Sequence, residues 1–166
     1  MLRGIPGAVS HLVVSKGAVR ALPLETDHAV QQVEALAHVV HDPANLPASI
    51  SSGSLPGAGT MVVPGSMKSQ AQTALSLNEN LPARAADVTM KERRKLVIVP
   101  RETPLPLGHP RHMVAVTDMG AIILPPAPSF HHRPKSIMDI VDQTVGSKVL
   151  DQFDLSHALF RRWRGA

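Results

Sequence analysis

Three short segments of this chain combine residue types that bind and act on anions. Pro64-Gly65-Ser66-Met67-Lys68-Ser69 sets two hydroxyls and an ammonium where an apolar run ends and a helical pattern begins. At such a junction the free backbone N–H groups and the positive end of the helix dipole favour a phosphate; the same spacing also suits a plain N-cap by Ser66. Arg101-Glu102 follows the apolar run Leu96 to Val99 and puts a guanidinium beside a carboxylate. That pair can hold a phosphate and move a proton, or it can be a surface ion pair. Ser15-Lys16 stands in the matching place after His11 to Val14. Arg84, Asp87 and Lys91 fall at i, i+3 and i+7 of a helical pattern, so two cations share one face, either as substrate ligands or as a solvated ion-pair ladder.

Other chemistries are excluded by what is missing. Nine histidines include His109 with His112 and His131 with His132, yet no carboxylate completes a ligand set at metal-binding spacing, and no metal is expected. The absence of cysteine removes disulfides, thiolate zinc sites and cysteine nucleophiles together. Neither a Gly-x-Ser-x-Gly elbow nor a Walker loop is present, which excludes the corresponding hydrolases and P-loop enzymes. Lys91-Glu92-Arg93-Arg94-Lys95 is the densest basic run, but it sits at a predicted helix C-terminus, where the dipole favours cations anyway. With aromatic residues at 2% and no tyrosine, base-stacking platforms are lacking, and no nucleic-acid partner is expected.

Elements that would position these residues alternate along the chain. His11 to Val14, Thr60 to Val63, Leu96 to Val99 and Ala121 to Leu124 read as strands, each nearly all apolar and therefore central and covered on both faces. Helical patterns fill Thr26 to Val40, Ser66 to Leu77, Ala83 to Arg94, His109 to Met119 and Ser136 to Leu150. The last carries Ile137, Ile140, Val141, Val145 and Val149 on one face, with Ser136 and Asp139 spaced as a capping box. Strands alternating with helices predict an α/β domain on a parallel sheet, whose ligands sit beyond the carboxyl ends of the strands. A doubly wound sheet normally opens with a strand, a Gly-rich turn and a helix, whereas here the first strand comes after only ten residues.

At 166 residues and 17.7 kDa the chain suits one domain, here residues 1–150, followed by a terminal arm or helix over residues 151–166. A net charge of +4 and a pI near 10.0 agree with an anionic ligand. The uncharged stretch Pro43 to Met67 is broken by four prolines and four glycines, so it is a loop entering a strand and not a membrane span. No export signal is visible near Met1, and a cytoplasmic location is expected.

Read together, the local segments resemble the UbiX-type flavin prenyltransferases. They include His11-Leu12-Val13-Val14-Ser15-Lys16, Leu24-Glu25-Thr26-Asp27, Ile50-Ser51-Ser52-Gly53-Ser54, Ala85-Ala86-Asp87-Val88 and Val99-Pro100-Arg101-Glu102-Thr103-Pro104-Leu105. Leu107-Gly108-His109, Met119-Gly120-Ala121, Pro125-Pro126-Ala127-Pro128 and Val149-Leu150-Asp151-Gln152-Phe153 continue the match in order. The resemblance implies a Rossmann-like or flavodoxin-like three-layer domain, a homododecamer, and the joining of a dimethylallyl group from dimethylallyl phosphate to N5 and C6 of reduced FMN. The product, prenylated FMN, would serve a UbiD-type aromatic acid decarboxylase, as in ubiquinone biosynthesis.

By the same resemblance, Ser15, Ser66, Met67, Lys68, Ser69 and Arg101 would contact FMN. Glu102, Lys91 and Arg84 would surround the prenyl phosphate, Glu25 would come from a neighbouring subunit, and His131 and Lys148 would bind the substrate phosphate. The chain has Gly65-Ser66-Met67-Lys68-Ser69 where the family has Cys-Ser-Met-Lys-Thr, and His131 where it has a tyrosine. The family's opening strand and Gly-Ala-Ser-Gly turn have no counterpart, as though Met1-Leu2-Arg3-Gly4 began inside the first helix. Another reading of the same resemblance is a non-catalytic FMN-binding or assembly subunit of a hydroxyaryl acid decarboxylase.

Overall fold

A computed structural model describes residues 5–160 and 162. Its firmest element is the strand β4, Lys95–Pro100, in which every residue after Lys95 is buried. β-Branched and leucine side chains alternate across it: Leu96 and Ile98 join Ala86, Val116 and Ala121 on one face, while Val97 and Val99 join Val149 on the other. Each fully buried aliphatic side chain contributes about 1.5–3 kcal/mol, so this strand is the spine of the core. It pairs in parallel with β3, Gly59–Gly65, on one side and with the two-residue β5, Ile122–Ile123, on the other.

Helices cover both faces, giving three layers. Over the Leu96 and Ile98 face lie α4, Leu81–Lys91, and α5, Gly108–Asp118, with α3, Met67–Ala74, packed against both. The opposite face is closed by a helical segment made of α6, Ile137–Val141, a π turn, Asp142–Gly146, and α7, Ser147–Gln152. Ser136 caps this segment as its spacing predicts: Asp139 N donates to Ser136 Oγ at 3.1 Å, and Ser136 N donates to the Asp139 carboxylate at 3.1 Å. Only its C-terminal half is buried, however. Val149 is 5% exposed, whereas Ile137 at 79% and Val141 at 40% face solvent.

The amino-terminal part departs from expectation. The strand β1, His11–Val13, is followed by a helix α1, Lys16–Glu25, which the sequence reading did not place. The single helix expected over Thr26 to Val40 is instead a one-turn helix α2, Val30–Glu34, and a strand β2, Val39–His41, parallel to β1. Three β-branched and imidazole residues at the end of a helical pattern are too few to announce a strand; pairing with β1 decides it. These elements form a separate two-stranded sheet, and α1 buries none of its residues. Among the described residues the expectation that all strands are central therefore holds for β4 alone: β1 and β3 each pair on one side, β5 ends its sheet, and Met61 to Val63 are only partly covered. The proposed helical start at Met1 to Gly4 lies outside the described residues.

Gly59 is required where β3 begins. Its φ of +147° is open to glycine, and a Cβ there would stand 2.0 Å from the Lys95 carbonyl oxygen.

Candidate functional site

Three strand-to-helix junctions lie at the carboxyl ends of the parallel strands, the edge where such sheets bind ligands. After β3, Ser66 caps α3: its Oγ accepts from Ser69 N at 3.1 Å and lies 3.0 Å from Ser69 Oγ. That leaves the first amides of the helix, those of Met67 and Lys68, without a helical acceptor and free for an anion. Met67 packs inward at 9% exposure while Lys68 is exposed, so the segment splits into an anchor and a solvent-facing cation. The N-cap reading is realised, and a capped helix start is also a donor-rich one, as a phosphate site would need. After β1, Ser15 caps α1 in the same way, accepting from Ala18 N at 3.2 Å.

After β4 come Arg101 and Glu102, both exposed. Glu102 accepts the Thr103 amide at 3.2 Å, and Arg101 makes no hydrogen bond or ion pair among the described residues. The two side chains do not neutralise each other, which leaves a guanidinium and a carboxylate available to a ligand at the same strand end. A groove of about 440 Å³ opens beside the carboxyl ends of β1 and β2, lined in part by Lys16, Arg20, Glu34 and Asp42. Lys16 and Arg20 stand one helical turn apart on α1, whose interior holds the poor helix formers Gly17 and Pro23.

The remaining expected site residues lie elsewhere in the protomer. Lys91 ends α4, and the turn that follows it, closed by Arg94 N to Thr89 O at 3.0 Å, leads straight into the amino end of β4. Lys91 is therefore at the opposite end of β4 from Glu102, which follows it after roughly 20 Å of extended chain. It is ion-paired with Glu92 and not with Asp87, and the Lys91 ammonium holds the Glu92 carboxyl below its ordinary range. Arg84 lies 3.8 Å from Asp87, which also accepts from Asn78 Nδ2 at 3.0 Å, so the expected ladder is only half formed. Glu25 is the exposed last residue of α1, away from Ser15, and its neighbour Leu24 is 85% exposed.

His131 is exposed in the loop after β5 and meets His132 edge-on at 5.5 Å. Both ring nitrogens of His132 are buried and have no hydrogen-bond partner among the described residues. Lys148, exposed on α7, places its ammonium 6.0 Å from the Phe160 ring centroid. One protomer thus gathers Ser15, Ser66, Lys68, Ser69, Arg101 and Glu102 at strand carboxyl ends, and leaves Lys91 and Glu25 at the far ends of their helices. Among the described residues no group of three or more His, Asp or Glu is placed to hold a metal, and no helix is long and apolar enough to cross a membrane.

A parallel α/β domain with helix starts, hydroxyls and an unneutralised arginine on its ligand edge belongs to the doubly wound class that binds phosphorylated cofactors. No protein-family model matches the chain, but individual proteins do. It is 48% identical over 168 residues to the flavin prenyltransferase UbiX of Salmonella typhimurium, covering 100% of this chain and 88% of that one. Among solved structures it resembles a dodecameric FMN-dependent UbiX-like decarboxylase from Escherichia coli O157:H7, with a TM-score of 0.95 and 46% identity over 99% of this chain and 88% of that one. It also resembles AnUbiX (PadA1) in complex with FMN and dimethylallyl pyrophosphate, with a TM-score of 0.91 and 47% identity over 94% of this chain and 82% of that one. The chain belongs to the UbiX family of flavin prenyltransferases.

Proposed function

We propose that this chain transfers the dimethylallyl group of dimethylallyl phosphate to reduced FMN, and that the prenylated flavin is used by a UbiD-type decarboxylase. The observation that carries this reading is the 47% identical relative held with FMN and dimethylallyl pyrophosphate together. The donor set agrees with it: capped helix starts with free amides suit the flavin phosphate, and Arg101 beside Glu102 suits a reaction that releases phosphate and moves a proton. Reduced FMN would supply N5 and C6, the atoms to which the five-carbon unit becomes bonded.

The chain's own residues would then have separate tasks. Ser15, Ser66, Met67, Lys68, Ser69 and Arg101 hold the cofactor. Arg101 also lies next to the departing phosphate, and Glu102 takes or gives the proton at its carboxylate. Lys91 and Glu25, which one protomer leaves away from Glu102, act in a site completed by a neighbouring copy, in keeping with the dodecameric assembly of a relative. Arg84, His131 and Lys148 add donors to the substrate phosphate. Residues 1–150 form the flavin-binding domain and residues 151–166 an arm, acting in the cytoplasm.

One relative is described as an FMN-dependent decarboxylase, which favours a second reading: an FMN-binding or assembly subunit without transferase activity. Incubation with reduced FMN under anaerobic conditions, with dimethylallyl phosphate in one arm and the pyrophosphate in another, separates the two. A flavin heavier by one C5H8 unit supports the transferase and shows which phosphate it takes. Bound flavin of unchanged mass in both arms would overturn it in favour of the subunit.

A further inference from the structure

The basic run Lys91-Glu92-Arg93-Arg94-Lys95 does not form one charged patch, because the turn after α4 sends its members to different partners. Lys95 Nζ donates to the Asp154 carboxylate at 2.6 Å. Arg94 reaches across to the loop before β3, donating from Nη1 to the Leu55 carbonyl at 2.6 Å and from Nη2 to the Gly53 carbonyl at 2.7 Å. Lys91 pairs with Glu92. Neighbours in sequence do not face each other on a helix, so this last contact needs a helix end. α4 supplies one: Glu92 closes the helix, and Arg93 turns the chain with a φ of +57°.

Gly53 decides where the Glu92 carboxylate lies. Its φ is outside the left-handed range, so the backbone does not ask for glycine there; space does. A Cβ on Gly53 would stand 2.1 Å from Glu92 Oε1, the same oxygen that accepts from Lys91, and 3.0 Å from Glu92 Cγ. Glu92 thus lies against the bare face of Gly53, and Arg94, gripping the Gly53 carbonyl, keeps that face in place. Lys91, Glu92, Gly53 and Arg94 make a circuit that begins and ends in one turn. The Lys91 side chain is still 60% exposed, and two of its three N–H donors remain for a ligand. A lysine tethered in this way has given up rotamer freedom before the ligand arrives, which lowers the cost of binding.

We propose that Glu92, braced by Gly53, is a positioning residue that aims the Lys91 ammonium at the phosphate of the prenyl donor. This rests on the reading of Lys91 as a ligand of that phosphate.

The test is a calorimetric titration of dimethylallyl phosphate into the full chain loaded with oxidised FMN, so that binding is read without transfer. Lys91→Ala removes the ligand itself and should weaken binding at least about tenfold. Glu92→Gln keeps the shape without the charge, and Gly53→Ala keeps the charge but displaces it. Each should weaken binding about threefold to tenfold, with FMN affinity unchanged. In the Lys91→Ala background neither should weaken it further. A merely structural role for the turn would add in that background, and such additivity would overturn the proposal. Parent-like binding in both single variants would overturn it too, as would tighter binding in Glu92→Gln, since Glu92 would then be holding the ammonium back. A parent that does not bind dimethylallyl phosphate, or a Lys91→Ala variant that binds it like the parent, overturns the proposal together with the assignment of Lys91. A parent that binds it but leaves reduced FMN unprenylated overturns the transferase reading alone, and the coupling among residues 53, 91 and 92 still decides the proposal.

Discussion

His11 Nδ1 lies 2.9 Å from His41 Nε2 across the β1–β2 ladder, with the two rings stacked 5.2 Å apart. One nitrogen must donate and the other accept, so the contact exists only while at least one ring is neutral. Burial, and then the neighbouring His11, hold the His41 imidazole below its ordinary value. A base whose folded pKa lies below the unfolded one stabilises the fold above the unfolded value and loses that contribution as pH falls through the folded value.

The β1–β2 pair should therefore loosen on acidification below about pH 6.5 while the β3–β4–β5 sheet holds. An NMR titration of the ring protons should give His41 a midpoint below 6.5, rising partway in His11→Asn. A His41 midpoint at or above 6.5 in the parent would contradict the role of burial there.

Glu102 can carry a proton only as a carboxyl group, and among the described residues it is hydrogen-bonded to the Thr103 amide alone. Glu102→Gln should lower prenyl transfer by about 10²- to 10⁴-fold with FMN affinity nearly unchanged. The check is product formation beside an FMN titration of the same variant; parent-like turnover would remove Glu102 from the proton path.

At Gly59 a side chain meets both an unfavourable φ and the Lys95 carbonyl. Gly59→Ala should cost at least about 2 kcal/mol and separate the start of β3 from β4. Urea unfolding measures it, and a loss below about 0.5 kcal/mol would mean that the strand start yields freely.

Asp151 accepts from Arg162 Nη2 at 2.5 Å and lies 3.0 Å from His157 Nε2; Arg162 first, and His157 after it, hold its carboxyl below the usual aspartate range. A depressed carboxylate stabilises above its unfolded value, near 3.8, and that contribution is lost as pH falls through the lower folded value. Asp151→Asn should destabilise by about 1 kcal/mol or less at pH 7, the pair being partly exposed, and the gap from the parent should narrow between pH 5 and 3. Thermal melts at several pH values decide it; a constant gap would mean packing, not charge, holds His157 and Arg162 against Asp151.

Much of the core was legible because local and long-range preferences agree there. Leu96 to Val99 is apolar at every position and is covered on both faces, and Ser136 with Asp139 forms the box its spacing announces. The helix start at Ser66 likewise follows from residue type, its side-chain oxygen being the cap, whereas the helix expected from Ala83 begins at Leu81, capped by Asn80. The amino-terminal unit was not legible in this way. Gly17 and Pro23 are poor helix formers inside α1, and Val39 to His41 become a strand only by pairing with β1. For the site, strand ends placed Ser66, Arg101 and Glu102 by rule and the helical pattern put Lys91 at a helix C-terminus, but no local pattern showed that Glu25 ends a helix. The site proposed above needs a neighbouring copy to bring them to Glu102, and a single chain's periodicities are blind to assembly.

The π turn between α6 and α7 works as an expansion joint. It takes up one residue more than an α-helix of the same course, so the surplus does not turn the following helix by the roughly 100° that one residue ordinarily imposes. Val149 and Leu150 can stay seated on β4's Val97 face and Lys148 can stay pointing outward, with Ser147 turned in beside them. A chain one residue shorter, wound as plain α-helix, would overlie both halves, while its residue opposite Lys148 would be counted one place earlier. Along this stretch, counting from Pro134 and superposing in space name different partners, and it is the superposition that tells which side chain faces what.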